Sequence, residues 1–547
     1  MSTNTQQTNP STTRTRNERI QAQRDVPMNL EVLLSGLDDI CLNKAHQVWN
    51  KVHQLDVQNI SFDSRTVRRG DLFVCLTGHL EDGHRYANDA VSSGAAAILA
   101  ERELPAINTV PVIVVQDTRS ALAVVAARFY DHPSRKLKLI GITGTNGKTT
   151  SVHLLQHIFN RVGYVSGSIG TMGMQVVNHF ERTKNTTPES LEIQRYLNTM
   201  VGHGAQYAVI EASSHALAMG RLRHAAFHAA VFTNLTHDHL DYHRTMTEYR
   251  NAKKLLFSGL QPAENGRAPF AVLNIDDGSW REFASVTQAT VLRYGLSKSA
   301  DVRASDIQIT PSGTSFTITT KDTERAVHWK LPGHHNVYNA LAAVCTGLAE
   351  DIPLDALISA LEDFRGVEGR FDSFLSETGI TVIVDYAHTP DALQQLLETA
   401  RHIVSGQIYC VFGCEGDRDR EKRPIMAQIA LEHSFYPILT LDHTRNEDPE
   451  RIFHDMVRVY HQNGVSPSRY AVIADRREAI WTALERARHG DAVVIAGKGH
   501  ETVQILGNSQ RPFNDKQVAM EFFDDRVSSE ADAGKDKQQS KQRLLVR

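Results

Sequence analysis

Short apolar runs alternate with amphipathic segments through most of the chain, and this rhythm predicts strands that alternate with helices. Between residues 28 and 134 it predicts a small α/β domain, with strands at 60–65, 70–76, 95–100 and 112–115. Between residues 333 and 527 the rhythm is typical of a doubly wound, Rossmann-like domain, with strands at 381–385, 408–412, 437–441, 470–474 and 492–496.

Residues 135–332 lie between these two domains and predict a central sheet built around a Gly-rich turn. The apolar run 137–142 predicts a buried strand, and the spacing from Ser151 onward predicts a helix. Further strands are expected beside it at 207–211, 230–234 and 271–274, with an antiparallel extension of the sheet at 291–294, 307–309 and 315–319. The predicted fold class is therefore α/β with three domains.

The turn between that strand and that helix has the composition of a phosphate-binding loop, with the residues Gly144, Thr145, Asn146, Gly147, Lys148, Thr149 and Thr150. Glycines let backbone N–H groups face an anion, a lysine reaches the outer phosphates, and a hydroxyl binds Mg²⁺. The match is a variant of the strict P-loop pattern, because five residues instead of four separate Gly141 from Gly147. An ordinary helix start is the alternative, but the neighbouring motifs favour a P-loop ATPase sheet that binds ATP.

The composition and net charge of the chain give no sign of a nucleic-acid or membrane partner. The 547 residues carry a net charge of −4, so no global basic field attracts nucleic acid or an anionic membrane. No apolar run approaches the roughly 18 residues of a membrane span, so we expect no membrane insertion. Residues 1–27 and 528–547 are polar and predict disordered tails, and Met28 is a candidate for the true start.

Five cysteines are scattered along the chain without the spacing of a zinc site. We therefore expect reduced thiols in a cytoplasmic protein. Cys410 and Cys414 could form a redox pair, although buried positions near a strand end fit their apolar surroundings better.

Polar residues gather where predicted strands end, which is where ligands of such sheets bind. Glu211 ends one strand of the central sheet, and three His and two Asp follow the next within residues 237–243. This composition favours metal coordination over a solvated loop, and it leaves zinc possible beside Mg²⁺. Lys253 faces inward on a predicted helix, and a buried lysine needs a partner or a modification.

Two more groups of polar residues predict ligand contacts outside the central sheet. In the last domain, four clusters at one edge of the sheet predict a single site, at residues 385–388, 416–419, 442–445 and 497–501. In the first domain, Asp63-Ser64-Arg65 at a strand end predicts either a phosphate or uracil contact or a turn cap.

Over residues 28–525 the chain resembles the Mur ligase family, and within it the enzymes that add the third amino acid to a peptidoglycan precursor. The resemblance rests on separate motifs, namely Asp63-Ser64-Arg65, Gly144 to Thr150, Asn185-Thr186-Thr187-Pro188, Glu211-Ala212-Ser213-Ser214-His215, Asp238 to His243, Tyr249 to Lys253, His335-Asn336 with Asn339, Glu368-Gly369-Arg370-Phe371, Asp385 to Pro390 and Gly497 to Glu501. It implies a nucleotide-sugar domain, a central ATPase domain and an amino-acid domain, in a cytoplasmic enzyme that we expect to be a monomer.

The implied reaction joins a carboxylate of UDP-MurNAc-L-Ala-D-Glu to the amine of a diamino acid, with ATP forming an acyl phosphate first. The resemblance implies two Mg²⁺ ions, one on Thr149 and Glu211, and the other on Glu211, His239 and a carbamate of Lys253, that is N6-carboxylysine. Lys148 would neutralise phosphate charge. Contacts to the nucleotide are further implied for Asn336, Asn339, Arg370, Asp385 and His388, and contacts to the acceptor for Ser64, Asn185, Thr186, Thr187, Ser213 and Arg221.

The expected amino-acid pocket departs from the family. Diaminopimelate-adding members usually carry Asp-Asn-Pro-Arg, where this chain has Asp442-His443-Thr444-Arg445, and Glu415 replaces a usual glycine. The resemblance still implies that Arg445 and Arg423 clamp the distal carboxylate of meso-2,6-diaminopimelate, while Asp442, Gly497 and Glu501 complete the pocket. Alternatives are L-lysine or another diamino acid, an acceptor outside the cell wall, and a nucleotide-binding regulator without activity.

Overall fold

A computed structural model of the chain describes residues 27–35, 37, 52–78, 81–260 and 268–525. Apart from residue 27, the tails predicted at 1–27 and 528–547 lie outside the described residues. The chain divides into two compact units, residues 1–118 and residues 119–547.

The first unit contains a parallel four-stranded sheet in the order β3-β4-β5-β6, beside a separate antiparallel pair, β1 and β2. The strands are β1 (Met28–Asn29), β2 (Asp56–Val57), β3 (Asn59–Ser61), β4 (Asp71–Val74), β5 (Ala97–Ala100) and β6 (Val112–Val114). The helical segments are Leu30–Leu34, Ala87–Ser92 and the 3₁₀ turns Ser64–Thr66 and Gly83–Tyr86. The α/β prediction for this segment is confirmed.

The strand predicted at 60–65 is shorter in the structure because a turn interrupts it. The Asp63 carboxylate accepts a hydrogen bond from the Arg65 N–H at 3.1 Å, which caps the 3₁₀ turn that starts at Ser64. The Arg65 guanidinium also pairs with that carboxylate, at 2.7 Å. Asp63 therefore serves as a turn cap, one of the two uses that its sequence position predicts.

The second unit is built on a central sheet of eleven strands in the order β10-β9-β8-β11-β7-β12-β13-β14-β15-β16-β17. Their bounds are β7 (Lys138–Thr143), β8 (Ser166–Gly170), β9 (Gly173–Val176), β10 (His179–Glu181), β11 (Tyr207–Glu211), β12 (Phe227–Phe232), β13 (Phe270–Asn274), β14 (Thr290–Gly295), β15 (Val302–Thr310), β16 (Gly313–Thr319) and β17 (Glu324–Trp329). The middle of the sheet is parallel, and both ends are antiparallel. The predicted antiparallel extension is confirmed for β15 to β17, which include residues 307–309 and 315–319. It is wrong for residues 291–294, because β14 pairs in parallel with both β13 and β15.

Helices cover both faces of this sheet because their apolar sides bury against its strands. The helices that contribute to these buried cores are Lys148–Arg161, Ser190–Gly202, Ser214–Ala218, Met246–Ser258, Trp280–Ala284, His334–Ala349 and Leu354–Asp363. The chain also forms the helices Thr118–Phe129 and Leu240–His243 and a 3₁₀ turn at Pro133–Arg135. The helices His334–Ala349 and Leu354–Asp363 correct the predicted domain boundary at 332/333. Val337, Leu341 and Leu357 share one buried core with Ile140 and Val209, so the central core continues to residue 364.

A second sheet of six strands follows in the order β18-β19-β23-β20-β21-β22, parallel except for β18. Its strands are β18 (Asp372–Leu375), β19 (Thr381–Asp385), β20 (Ile408–Cys414), β21 (Tyr436–Leu441), β22 (Ala471–Val472) and β23 (Ala492–Ala496), and the hairpin β24 (Val503–Leu506) and β25 (Ser509–Pro512) follows them. The helices are Pro390–Ile403, Lys422–His433, Pro449–Gln462, Arg476–Arg486 and 515–525, with a 3₁₀ turn at Pro467–Arg469. The predicted Rossmann-like α/β arrangement is confirmed.

The two remaining sequence-based expectations concern cysteines and membrane spans. Cys410 and Cys414 are buried free thiols in β20, and Cys75 and Cys345 are also buried and free, while Cys41 lies outside the described residues. Among the residues that the structure describes, no helix is both long and apolar enough to cross a membrane.

Candidate active site

A cavity of about 510 Å³ lies in the second unit, where loops after the central strands meet loops of the six-stranded sheet. The four predicted catalytic residues all line it, namely Lys148, Glu211, His239 and Lys253. The sequence separates the first and last of these residues by about a hundred positions, and the parallel strands bring them to one edge. The predicted convergence is therefore present in the structure.

The Gly-rich turn packs so closely that its glycines have no room for side chains. A Cβ added to Gly144 would lie 1.8 Å from Thr233 Oγ1, and one added to Gly147 would lie 2.4 Å from Asn339 Oδ1. Gly147 has a φ of 84°, and the helix Lys148–Arg161 starts directly after it. Backbone N–H groups at such a helix start favour an anion, so the turn is suited to phosphate groups.

Two lysine amines meet at one carbonyl of this turn. Lys148 Nζ donates to Gly144 O at 2.9 Å, and Lys253 Nζ donates to the same oxygen at 2.7 Å. Lys253 is 1% exposed, and its Nζ lies 4.3 Å from the centroid of the Tyr249 ring. Burial and the nearby charge of Lys148 hold the pKa of Lys253 well below its usual range, so the neutral amine is favoured.

A chain of hydrogen bonds connects the start of the helix to the end of β11. Arg370 Nη2 donates to Thr149 Oγ1 at 3.0 Å, and Thr149 Oγ1 donates to Glu211 Oε2 at 3.0 Å. The other carboxylate oxygen of Glu211 accepts from the Thr171 N–H at 2.8 Å. Glu211 is 1% exposed, so a buried carboxylate and a hydroxyl face the cavity together.

His239 also lines the cavity, and its backbone is left-handed, with a φ of 55°. Its Nε2 lies 3.3 Å from Asp238 Oδ2, and its ring is 5.9 Å from the ring of Tyr249. Burial lowers the pKa of His239 to about 2, although Asp238 opposes this shift. The ring is therefore neutral near pH 7 and can offer a nitrogen lone pair to a metal ion.

The residues expected to contact the nucleotide also line this cavity. One group comes from the Gly-rich turn and the start of the helix after it, namely Thr145, Asn146, Gly147, Thr149 and Thr150. The other group comes from farther along the chain, namely Asn336, Asn339, Arg370, Asp385 and His388. The Arg370 guanidinium lies 4.5 Å from the centroid of the Tyr386 ring. Asn146 Nδ2 donates to Asp391 Oδ2 at 2.7 Å, which joins the turn to the helix Pro390–Ile403.

Asp391 and Tyr386 also line the cavity, although the sequence predicted no role for Asp391 and no individual role for Tyr386. Tyr386 belongs to the polar cluster at 385–388, and Asp391 follows it in the first turn of the next helix. Acidic residues are common in first turns for electrostatic reasons alone, so the position of Asp391 carried no signal of a ligand site.

The expected acceptor residues of the second unit line the same cavity, and they are Asn185, Thr186, Thr187, Ser213 and Arg221. Thr187 Oγ1 donates to Glu211 O at 2.6 Å, and Arg221 Nη1 donates to Thr187 O at 3.1 Å. Ser213 also caps the helix Ser214–Ala218 by accepting from the Ala216 N–H. Ser64 belongs to the first unit, where it starts the 3₁₀ turn and is partly exposed.

The residues expected to bind the amino acid divide into two groups. Arg445 and Glu501 line a second cavity of about 990 Å³. Asp442 is 3% exposed and lies 3.7 Å from Lys498 Nζ, and a Cβ added to Gly497 would lie 2.8 Å from Asp442 Oδ2. The structure therefore places Asp442 and Gly497 behind the cavity wall.

Arg423 is a correction to the predicted site. It is fully buried, and its guanidinium pairs with Glu447 at 2.7 Å and with Asp455 at 3.0 Å. These two carboxylates already satisfy the positive charge, so Arg423 ties its helix to the following loop and helix and is not available to clamp a ligand.

His443 is a further residue of this second cavity that sequence analysis did not assign. Its Nδ1 accepts from the Ile505 N–H at 2.9 Å, so the ring proton lies on Nε2, which faces Glu501 Oε2 at 2.9 Å. Lys498 Nζ also donates to Glu501, at 2.7 Å. Two buried side chains thus fix the carboxylate of Glu501.

Three models of Mur ligase domains match consecutive parts of the chain. The Mur ligase middle domain matches residues 142–347, the glutamate ligase domain of Mur ligases matches residues 369–499, and the catalytic domain of the Mur ligase family matches residues 56–130. A solved structure of a UDP-N-acetylmuramoyl-L-alanyl-D-glutamate--2,6-diaminopimelate ligase is 33% identical, with a TM-score of 0.62 over 92% of this chain and 100% of that chain. The MurF ligase of Thermotoga maritima in complex with ADP shares the fold, with a TM-score of 0.61 and 19% identity over 86% of this chain and 98% of that chain.

Two relatives extend the match over most of the sequence. A Bacillus cereus protein named UDP-N-acetylmuramoyl-L-alanyl-D-glutamate--2,6-diaminopimelate ligase is 46% identical over 476 residues, which are 87% of this chain and 96% of that protein. A Listeria monocytogenes protein of the same name is 43% identical over 467 residues, or 85% of this chain and 94% of that protein. Since three family domains occur in order and the identity extends along the chain, the protein belongs to the Mur ligase family and is a ligase.

Proposed function

We propose that this protein is an ATP-dependent ligase that adds meso-2,6-diaminopimelate to UDP-MurNAc-L-Ala-D-Glu during peptidoglycan precursor synthesis. The observation that carries the proposal is the convergence of Lys148, Glu211, His239 and Lys253 on one cavity beside the Gly-rich turn. The relatives at 43–46% identity are named for this acceptor and this amino acid. We place the reaction in the cytoplasm and expect a monomer.

A carboxylate is a poor electrophile, so the reaction needs activation before an amine can attack. The γ-phosphoryl group of ATP moves to an oxygen of the glutamyl carboxylate, which breaks the bond to ADP and forms an acyl phosphate. The amine of the amino acid then attacks the acyl carbon, phosphate leaves, and the amine loses a proton. The turn and Lys148 would hold the phosphates in line for the first step, since positioning dominates phosphoryl transfer.

The donor set fits Mg²⁺, because carboxylate and hydroxyl oxygens are the ligands this ion prefers. Within the described residues, the hydrogen bonds to the Glu211 carboxylate come from the neutral donors Thr149 and Thr171, so its charge can attract a cation. Thr149 and Glu211 would hold one ion, and Glu211, His239 and carbamylated Lys253 the other. When bound, Mg²⁺ neutralises charge on the transferring phosphoryl group.

The position of the Lys253 amine beside that of Lys148 favours its carbamylation. Two ammonium groups on one carbonyl oxygen repel each other, so Lys253 is favoured as the neutral amine, whose lone pair attacks the carbon of CO₂. The new N–C bond and the loss of one proton convert it to an anion. That anion would attract both the metal and the side chain of Lys148.

The remaining contacts complete the proposal. Asn336, Asn339, Arg370, Asp385 and His388 would hold the nucleotide, and Thr187, Ser213 and Arg221 would hold the acceptor with Asn185 and Thr186. Ser64 of the first unit would meet the uridine end. Arg445 and Glu501 would receive the amino acid, with Asp442 and Gly497 behind them.

The test is an assay of ADP release by the purified protein with ATP, Mg²⁺ and UDP-MurNAc-L-Ala-D-Glu. We expect release only when a diamino acid is added, and faster with meso-diaminopimelate than with L-lysine or L-ornithine. No ADP release with any of the three amino acids would contradict the proposal.

A further inference from the structure

Glu415 stands between two arginines at the end of β20. Its Oε2 accepts from Arg418 Nε at 3.1 Å and from Arg445 Nη2 at 3.3 Å. Burial would raise the pKa of Glu415, but the two arginines outweigh burial and lower it, so the carboxylate is charged. Arg445 is the residue that the proposed function assigns to the distal carboxylate of the amino acid, so Glu415 competes with that carboxylate for one guanidinium.

Glu415 also lies where two cavities meet. Glu415, Arg418 and Tyr386 line the cavity of the Gly-rich turn and the second cavity alike. The amine of a bound amino acid must reach the first cavity while its distal end stays in the second. Glu415 therefore lies along the path of the amino acid.

The backbone of Arg445 is held in place without help from Glu415. Its φ is 51°, and the preceding Thr444 N–H donates to Ile505 O at 2.9 Å. The Gly507 N–H donates to Thr444 Oγ1 at 3.0 Å. Among the described residues, the buried Nε of Arg445 has no hydrogen-bond acceptor, so this side chain retains a donor for a ligand.

A metal site is the competing interpretation, because ligand atoms of Glu415, His443 and Glu501 lie within 4.8 Å of one another. The positions of the protons on His443 and Lys498 are evidence against a metal ion at this place. His443 Nε2 carries the ring proton because Nδ1 accepts from Ile505, and Lys498 Nζ already donates to Glu501 at 2.7 Å. The ammonium of Lys498 thus supplies the positive charge that an ion would bring.

We propose that Glu415 determines amino-acid specificity by occupying Arg445 from within the protein. This inference rests on the proposed function. A distal carboxylate on the incoming amino acid competes with Glu415 for Arg445 Nη2, while L-lysine, which has no such carboxylate, does not. Glu415 therefore reduces the preference for meso-diaminopimelate over L-lysine that Arg445 would otherwise give.

The test replaces Glu415→Gln and measures kcat and KM for meso-diaminopimelate and L-lysine at saturating ATP and acceptor. We expect the ratio of kcat/KM for the two amino acids to rise about tenfold in favour of meso-diaminopimelate, the size of one charge-assisted hydrogen bond. The change should appear in KM for meso-diaminopimelate, with kcat unchanged. An unchanged ratio overturns the inference.

Glu377→Gln is the matched control, because Glu377 is an exposed carboxylate between β18 and β19 that lines neither cavity. The control should leave the ratio of the two amino acids as it is in the parent protein. An equal rise in both variants would show an effect of net charge alone and would overturn the role of Glu415. Should Glu415→Gln fail to fold, Glu415→Gly is measured in its place, since glycine is the usual residue in the family.

Calorimetric titration of the two amino acids, in the presence of a non-hydrolysable ATP analogue and the acceptor, separates this inference from the proposed function. If no variant releases ADP, the proposed function fails, and tighter binding of meso-diaminopimelate alone to Glu415→Gln still supports the inference. Equal binding by parent and variant overturns it whatever the assay of ADP release shows.

Discussion

At the scale of single residues, the site depends on buried groups whose charges the surroundings decide. Lys253 and Lys148 share the carbonyl oxygen of Gly144, where Lys253 is buried and Lys148 is half-buried in the cavity lining. Such a pair is costly when both amines are charged, because burial and mutual repulsion act in the same direction. The pair becomes favourable when one amine becomes an anion.

Replacement of Lys253→Ala tests that conversion. We expect the rate of ADP release to fall by about a hundredfold or more, since a group that positions charge in the transition state is lost. A carbamate signal in ¹³C NMR after addition of labelled bicarbonate should be present in the parent and absent in the variant. Lys254→Ala is the control, because Lys254 pairs with the partly exposed Glu282 at 3.7 Å and should keep the parent rate.

The positions of individual residues were predictable where a sequence motif fixes their backbone. They were less predictable where the type of side chain was the only guide. The Gly-rich turn holds Lys148 and Thr149 next to the helix start, so their positions follow from the motif. Arg423 was misassigned because its partners Glu447 and Asp455 lie 24 and 32 residues away. An arginine that neutralises buried carboxylates and one that clamps a ligand look alike in a sequence.

At the scale of strands and helices, a buried group of charged side chains joins the starts of β7 and β12 to the end of a helix. It lies at the edge of the central sheet that is opposite the Gly-rich turn. Glu350 caps the helix His334–Ala349, pairs with Lys138 at the start of β7, and lies 2.7 Å from His228 Nε2 in β12. Burial opposes ionisation of Glu350, but bonds to His228 and Lys138 prevail and lower its pKa from 4.5 to about 2. The charged carboxylate thus stabilises the fold.

Replacement of Glu350→Gln should therefore lower the free energy of unfolding by about 3 kcal/mol at pH 7, because a partner of a buried pair is lost. The folded-state pKa is depressed, so the contribution is fully present above pH 4.5 and disappears as the pH falls towards 2. Urea denaturation of parent and variant at several pH values measures this. The two proteins should converge at low pH, and a constant difference would contradict the assignment.

The surface pair of Asp355 and Arg325 provides the control. Asp355→Asn removes a carboxylate whose side chain is 72% exposed, and we expect a loss below about 1 kcal/mol at pH 7.

Element prediction succeeded where strands are apolar and failed where they are not. Strands β19 and β23 match the predicted ranges residue for residue, because both faces are buried and the apolar runs are continuous. The hairpin β9–β10 was missed, since Phe180 is 56% exposed and no apolar run marks this edge. The boundary after Pro332 was misplaced because Gly333 only starts a helix of the central core.

At the scale of the whole molecule, the active site combines two sheets of the second unit. Arg370 comes from the segment before the six-stranded sheet, yet it donates to Thr149 in the helix Lys148–Arg161 of the central domain and stacks on Tyr386. The Nε of Arg370 is buried without a hydrogen-bond partner among the described residues. No local sequence pattern records such a contact, because it exists only when both sheets have folded.

Arg370→Lys tests the contribution of that contact to nucleotide binding. A lysine lacks the planar guanidinium that stacks on a ring while it donates to Thr149, so we expect KM for ATP to rise about tenfold. KM for the amino acid should stay unchanged. Steady-state kinetics of ADP release provide the measurement, with Arg365→Lys, at an exposed position, as the control. Equal effects of both replacements would contradict this role.

The two outermost strands of the eleven-stranded sheet are β10 and β17. An unpaired strand margin is a template on which another molecule can add a strand. Here β10 has three residues, and β17 begins with the exposed Glu324 and Arg325. The short edge strand β10 and the charged start of the edge strand β17 both disfavour the addition of a strand from another molecule. A wide sheet can therefore persist in a crowded cell without polymerising.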